Sequence, residues 1–270
     1  MNLRLKKSAA AVAIVLTAGL GLAACGGGDD SSSAKGDTSS VGEKADTELT
    51  QENFFTEVTK AQQDAKTSHV EMAFGVGGQD IKASGDVSTG KSAADSAMSM
   101  TMTLGAQGEM EMRLIDGVLY MNMGSMTQNK FTKIDLNDKD NPLGEQYGGL
   151  LDSVDPSKQI EQMQEAVTGF EQKGDAEKLD GVEATPYVVT VDSSKLTEQL
   201  GATGQDAAQV PDTLTYTMYI GPDNLPRRIL MDVAGTKMTM DYTKWGEDVT
   251  IEAPAKDQIS DVDLSQMGGA

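Results

Sequence analysis

The spacing of apolar residues divides the chain into one helical stretch followed by a long series of strands. Apolar side chains at positions 54, 58, 61 and 65 fall on one side of a helix, which predicts an amphipathic helix over residues 54–65. Thr50 is the predicted N-cap of this helix. From residue 70 onward the apolar period falls to two, which is typical of strands with one buried and one solvated face.

Turn sequences rich in Gly, Asp and Pro separate about ten such alternating segments. Strands joined by short turns form an antiparallel meander, and a sheet of this many strands curls rather than staying flat. The predicted fold is therefore α+β: a single large, strongly curved antiparallel sheet with two to three helices on its concave face. The predicted strands are 70–76, 81–87, 98–104, 110–114, 119–123, 182–191, 214–220, 228–233, 238–242 and an edge piece at 248–252.

Two further helices are predicted between the strands. Asp155 and Pro156 form a helix start, and apolar residues at 160, 163, 167 and 170 continue a stripe at helical spacing. A shorter helix over 194–200 ends at Gly201.

The N-terminal residues have the pattern of an export signal. Residues 1–24 combine a basic start with a 14-residue apolar stretch from Ala9 to Leu22, too short for a permanent membrane span. Leu22, Ala23 and Ala24 precede Cys25, an order that resembles the bacterial lipobox, in which the cysteine receives a diacylglyceryl group. Residues 25–48 are Gly, Ser and Asp-rich, which predicts a flexible tether. Residues 49–262 are the predicted domain, and 263–270 a tail.

Composition excludes several function classes. The 270 residues carry 22 Lys+Arg against 42 Asp+Glu, a formal charge of −20, which argues against nucleic-acid binding because phosphate contacts need a basic face. A single Cys and a single His leave no basis for a cysteine or histidine metal centre. We therefore expect no enzyme activity, no cofactor and no metal.

Two motif matches have simpler interpretations. Residues 85–92 satisfy the phosphate-loop pattern G-x-x-x-x-G-K-[ST], but a period-2 strand follows where the motif requires a helix, so we interpret it as a hairpin turn. Residues 135–141 are rich in Asp and Asn, yet their spacing does not match an EF-hand loop, which favours a solvated acidic loop over a cation site.

Methionine is the unusual residue, with 16 copies against five Phe. A face that only packs helices more often uses Leu, Ile, Val and Phe, whereas flexible, polarizable Met suits variable apolar partners. Ordinary core packing and a copper(I) site, which favours thioethers, remain alternatives. The candidate lipid-binding residues are Phe54, Val58, Met72, Phe74, Met98, Met100, Met102, Met110, Met112, Met121, Met123, Met163, Val167, Met218, Met231, Met238 and Met240.

Several dispersed motifs, together with Cys25 and the tether, resemble the actinobacterial LppX/LprAFG lipoproteins, which have a LolA-like fold. The similarity covers roughly residues 49–254. The motifs are 116–120 (DGVLY), 131–134 (FTKI), 180–182 (DGV), 221–228 (GPDNLPRR) and 242–249 (YTKWGEDV).

The resemblance implies a half-open antiparallel barrel that binds lipid or acylated glycolipid between its sheet and its helices. We expect a monomer, anchored through Cys25 to the extracytoplasmic face of the cell membrane, that carries lipid within the cell envelope, with the helices at 54–65 and 156–169 as a lid. An envelope sensor and a structural or adhesive lipoprotein without carrier activity are the other classes left open.

Overall fold

The computed structural model describes residues 48–76, 79–89, 96–103, 105, 108–136, 164–195, 211–233 and 235–260. The predicted signal segment, Cys25, nearly all of the tether, Met163 and the tail lie outside these residues. Among the described residues, no helix is long and apolar enough to cross a bilayer.

Within the described residues, twelve strands form one antiparallel sheet that does not close on itself. The strand order is β6-β5-β4-β3-β2-β1-β12-β11-β10-β9-β7, with β8 paired to β9 beside this path. The fold class predicted from the sequence, α+β with one large open antiparallel sheet and helices against it, is confirmed. The strands are β1 Thr67–Val76, β2 Gln79–Ser88, β3 Ala97–Thr103, β4 Glu109–Ile115, β5 Val118–Asn122, β6 Thr132–Asp135, β7 Val167–Gln172, β8 Glu177–Leu179, β9 Val182–Asp192, β10 Thr213–Ile220, β11 Pro226–Val233 and β12 Thr236–Thr243.

The predicted first helix is present as α1, Phe54–Ala65, but its start differs from the expectation. Asn53, not Thr50, is the N-cap. Thr50 instead closes the preceding turn, because its carbonyl accepts the Phe54 amide at 2.9 Å and its own amide donates to the Asn53 Oδ1 at 2.7 Å. Lys66, with φ of 66°, then turns the chain directly into β1.

The predicted helix over 156–169 is wrong at its C-terminal end. Residues 164–166 are helical, but Val167 starts strand β7, which pairs with β9 through partners such as Phe170 opposite Val189. Val167, Thr168 and Gly169 all have low helix propensity. Val167 and Gly169 pair with Val191 and Thr190 of β9, and the Thr168 hydroxyl between them donates to the Thr190 carbonyl at 3.3 Å. Short apolar repeats do not separate a helix from a strand, which explains the error. Of the helix predicted over 194–200, only 194 and 195 are described, in a helical turn over 193–195.

The predicted edge strand at 248–252 is also wrong. Strand β12 lies inside the sheet between β1 and β11, so the chain that follows it finds no open edge beside it. The segment instead runs irregularly past Arg113, whose Nη1 donates to the Glu252 carbonyl at 3.1 Å. It ends in a single bridge between Ile259 and Phe131, next to β6.

A 3-10 helix at Gly124–Thr127 joins β5 to β6, and another at Lys256–Gln258 precedes this bridge. Residues 85–88 of the phosphate-loop match lie in β2, paired on both sides with antiparallel strands. That setting differs from the strand-to-helix turn that phosphate binding requires.

Candidate functional site

The methionines of the strands lie on a single face of the sheet, which we call the methionine face. Residues directly opposite in a ladder point to the same side, and the ladders connect Met72 to Met240, Met100 to Met112 and Met112 to Met121. The same register continues through Met231 and Met218 to β9. The methionines placed on this face are Met72, Met98, Met100, Met102, Met110, Met112, Met121, Met218, Met231, Met238 and Met240.

Other predicted site residues join this face in different ways. Phe74 lies on it, opposite Met238, and Val167 reaches it from β7, opposite Val191. Phe54 and Val58 approach it from α1, as members of the same buried cluster. Met123 follows the end of β5 and is half-buried.

Helix α1 covers only part of the methionine face. Its C-terminal end is fixed at the start of β1, where the Lys66 carbonyl accepts the Thr89 amide. Its N-terminal end reaches β9 and β7, where the Phe54 ring lies 5.5 Å from Tyr187 and 5.1 Å from Phe170. Twelve helical residues span about 18 Å. The four strand spacings from β1 to β9 measure roughly 19 Å, so α1 is long enough to cross these strands. Its buried cluster also takes in Ala83, Val87 and Met100 of β2 and β3.

The aromatic contacts of Phe54 hold the helix in place. Phe54 is fully buried and also meets Phe55 edge-on at 5.3 Å, while Phe170 and Tyr187 stack on each other at 5.6 Å. Gln164 adds a polar tie, since its Nε2 donates to the Glu52 carbonyl at 3.3 Å and to the Thr56 hydroxyl at 3.2 Å. The residues just before β7 and the start of α1 are thus fastened together.

Burial divides the face into two halves. In the covered half, formed by β1 and β9–β12, Met72, Met218, Met231 and Met240 are each at most 9% exposed, whereas Met238 is half-buried. In the open half, formed by β3–β5, the methionines are half-buried except Met100. Met112 and Met121 pack on Leu119, Ile134 and Leu136 of their own sheet, whereas Met98 and Met102 border the cluster that contains Phe54. The half-buried set in the open half is Met98, Met102, Met110, Met112 and Met121.

Strand β2 forms a boundary of small residues between the halves. Ala83 lies opposite Met102, and Gly85 lies opposite Met100. A Cβ at Gly85 would overlap the Ser99 carbonyl oxygen and come within 2.7 Å of the Met100 Sδ. Glycine is therefore required for β3 and its Met100 to approach this closely, and Met100 is buried as a result.

The methionine face is almost free of charge. By register, the acidic and basic residues of β1–β5 and β9–β12 lie on the opposite face, apart from Arg227 near the start of β11 and the exposed Glu183 near the start of β9. Arg227 is neutralised by Asp223, with 2.7 Å between the guanidinium and the carboxylate, and both side chains are buried. Burial raises the pKa of Tyr216 to about 12 and also raises the pKa of Tyr242. These two hydroxyl groups therefore stay protonated at neutral pH, and the described part of the surface can hold apolar groups.

Sequence reasoning missed part of this face. Val189, Leu214, Tyr216 and Ile229 share it with the methionines and are buried. Their alternation within the strands is visible in the sequence, but it does not distinguish them from ordinary core residues as the abundance of methionine does. Among the described residues, no group of three or more His, Cys, Asp or Glu side chains could hold a metal ion.

Comparison with solved structures shows the fold. The chain is similar to lipoprotein LppX of Mycobacterium tuberculosis, with 15% identity and a TM-score of 0.50 over 75% of this chain and 100% of that one. LprF of Mycobacterium bovis matches with 14% identity and a TM-score of 0.48 over 76% of this chain and 98% of LprF. No protein-family model matches the chain, and no curated protein matches it either.

Proposed function

We propose that this chain, which has the fold of the lipoprotein LppX, binds the acyl chains of a lipid or acylated glycolipid on its methionine face and carries them within the cell envelope. The observation that carries the proposal is the placement of eleven strand methionines on one face that is almost free of charge, with those of the open half, except Met100, only half-buried.

The chemistry of methionine suits a disordered ligand. Its unbranched, polarizable side chain adapts to irregular apolar shapes, and adaptable surfaces of this kind accept varied partners. Five half-buried thioethers on three adjacent strands offer apolar contact without the fixed rotamers of a Leu or Ile core. An acyl chain lying across β3–β5 would complete the burial of these side chains.

The free energy of moving an acyl chain into water sets how tightly a carrier must bind its lipid. Each CH₂ moved into water costs about 0.8 kcal/mol, so a 16-carbon chain costs roughly 13 kcal/mol. The protein must replace most of this apolar contact to extract a lipid, and must not exceed it if the lipid is to leave. Non-directional contacts with several methionines allow such a balance more readily than a few directed hydrogen bonds.

The N-terminal residues supply the location in this proposal. A diacylglyceryl group on Cys25, with two acyl chains, anchors a protein stably. The 24 residue-to-residue steps from Cys25 to Leu49 give a flexible tether a reach on the order of 27 Å. The domain, a monomer in this account, can then contact the membrane surface while it remains outside the bilayer.

A pair of adjacent substitutions tests the proposal. Met102 and Thr103 are neighbours on β3 but point to opposite faces. In full-length protein purified from envelopes, we expect native mass spectrometry to find lipid bound to the wild type and to Thr103→Glu. Met102→Glu should lower the bound fraction by about tenfold or more, because a carboxylate on an apolar surface must be desolvated.

Circular dichroism should show that both variants remain folded. A wild type that is always empty, or equal losses in the two variants, would contradict lipid binding on this face.

A further inference from the structure

The opposite, polar face of the sheet holds a serine, a histidine and an aspartate in hydrogen-bonding order. His69 on β1 lies directly opposite Asp86 on β2, and Ser84 is two residues before Asp86 on the same side. The His69 Nδ1 is 2.6 Å from the Asp86 Oδ1, and its Nε2 is 3.2 Å from the Ser84 Oγ. The three side chains thus form a chain of two hydrogen bonds.

The partners determine where the protons lie. An ionised carboxylate can only accept a hydrogen bond, so the Nδ1 of a neutral His69 carries the proton and donates it to Asp86. The Nε2 then has a free lone pair and accepts the hydroxyl proton of Ser84. This is the arrangement in which a histidine acts as general base for a serine and a carboxylate fixes its tautomer.

Access and local charge limit what could react there. Ser84 is exposed, while the His69 and Asp86 side chains are 20% and 40% exposed. Glu71 adds a second carboxylate, 4.0 Å from the His69 Nε2. These negative charges repel anions, so an uncharged ester is a better substrate than an anionic one.

Stabilisation of a developing oxyanion would have to come from side chains. The Ser84 backbone is held in ladders with both β1 and β3. Thr101 lies directly opposite Ser84 on β3, and Lys82 is two residues before it on the same side of β2. A hydroxyl and an ammonium group at neighbouring positions are therefore candidate donors. Flexible side chains of this kind predict modest rates compared with a preformed oxyanion hole.

We propose that Ser84, His69 and Asp86 form an acyl-transfer site for small uncharged esters. The Ser84 Oγ bonds to the ester carbonyl carbon while its proton passes to the His69 Nε2. The bond to the leaving oxygen then breaks, and that oxygen takes the proton from His69. Water repeats the attack on the acyl-serine, releasing a carboxylic acid and restoring Ser84.

This proposal is independent of lipid binding. His69, Ser84 and Asp86 point away from the methionine face, since their strand neighbours Val70, Ala83 and Gly85 belong to it. Loss of one activity should leave the other unchanged.

Labelling with a fluorophosphonate probe tests the site in the full-length protein. We expect the wild type to be labelled at Ser84, as located by peptide mass spectrometry, and to release p-nitrophenol from p-nitrophenyl acetate. Ser84→Ala should abolish labelling, and His69→Gln should slow it on the order of 100-fold, within the usual contribution of a general base. Asp86→Asn should also slow it, because it disturbs the tautomer of His69.

Ser88→Ala is the matched control, because Ser88 lies on the same strand and the same side, opposite Thr67 rather than His69. It should be labelled like the wild type. An unlabelled wild type, or labelling that persists at equal rate in Ser84→Ala or His69→Gln, would overturn the proposal.

Discussion

The methionines of the two halves of the methionine face differ in how deeply they are buried and in what they contact. In the covered half, Met72, Met231 and Met240 lie under α1 in one cluster with Phe54. In the open half, Met112 and Met121 are half-buried and pack on Leu119, Ile134 and Leu136 of their own sheet. A composition rich in methionine therefore indicates neither a core nor a binding surface by itself. Its role depends on which strands the helix spans.

The largest expected effect concerns the residue that holds the helix. Phe54→Ala removes a fully buried ring that contacts Phe55, Phe170 and Tyr187, and it should lower the free energy of unfolding by about 3–5 kcal/mol. Urea denaturation measures the change. Met126→Ala is the control, because this side chain is 68% exposed and should change stability by less than about 0.5 kcal/mol. Equal effects of the two substitutions would mean that α1 is not fastened through Phe54.

The next largest effect is the loss of stability on substitution of one methionine from each half. Met240→Ala leaves a cavity at a buried position and should lower the free energy of unfolding by about 2–5 kcal/mol. Met112→Ala, at a half-buried position, should cost about 1 kcal/mol, in proportion to the smaller area removed from water. Chemical denaturation of ligand-free protein gives both values. If Met112→Ala lowers the free energy of unfolding as much as Met240→Ala, the open half is as tightly packed as the covered half and the distinction between the halves fails.

A smaller effect on the free energy of unfolding should appear at alkaline pH, through a tyrosine of the covered half. Burial raises the pKa of Tyr216 from 10.0 to about 12, so the folded state holds this proton more tightly than the unfolded state. The corresponding stability is present in full below pH 10, falls as the pH rises and is lost above pH 12. Its maximum is about 3 kcal/mol.

Comparison of the wild type with Tyr216→Phe isolates this contribution, because Phe cannot ionise and Tyr242 remains in both proteins. The stability difference between them should change steeply between pH 10 and 12. A constant difference across this range would show that Tyr216 is not desolvated as described.

Local periodicity was sufficient to predict most of the sheet. Strand alternation in β1–β5 and β9–β12 identified the elements and the side that each Met occupies, because side chains in a strand alternate strictly. The helix over 54–65 was equally clear from its apolar stripe. The site candidates followed from the same pattern, although their role in lipid binding stays a prediction.

Long-range pairing accounts for what the sequence did not reveal. Val167 and Phe170 fit a helical stripe, and only their pairing with β9 makes them part of a strand. The contact of Ser84 with His69 depends on the register between β1 and β2, which no local pattern specifies. The extent of α1 over the sheet follows from strand order, and strand order is a property of the whole fold.

Photo-crosslinking of a lipid tail most directly tests the claim that the open half receives acyl chains. Envelopes supplied with a diazirine-bearing fatty acid would be irradiated, and crosslinked peptides of the full-length protein mapped by mass spectrometry. The account predicts attachment in β3–β5, at Met98, Met102, Met110, Met112 or Met121. Attachment confined to the polar face, around residues such as Thr101 and Glu111, or no attachment above that of an unrelated envelope protein, would contradict it.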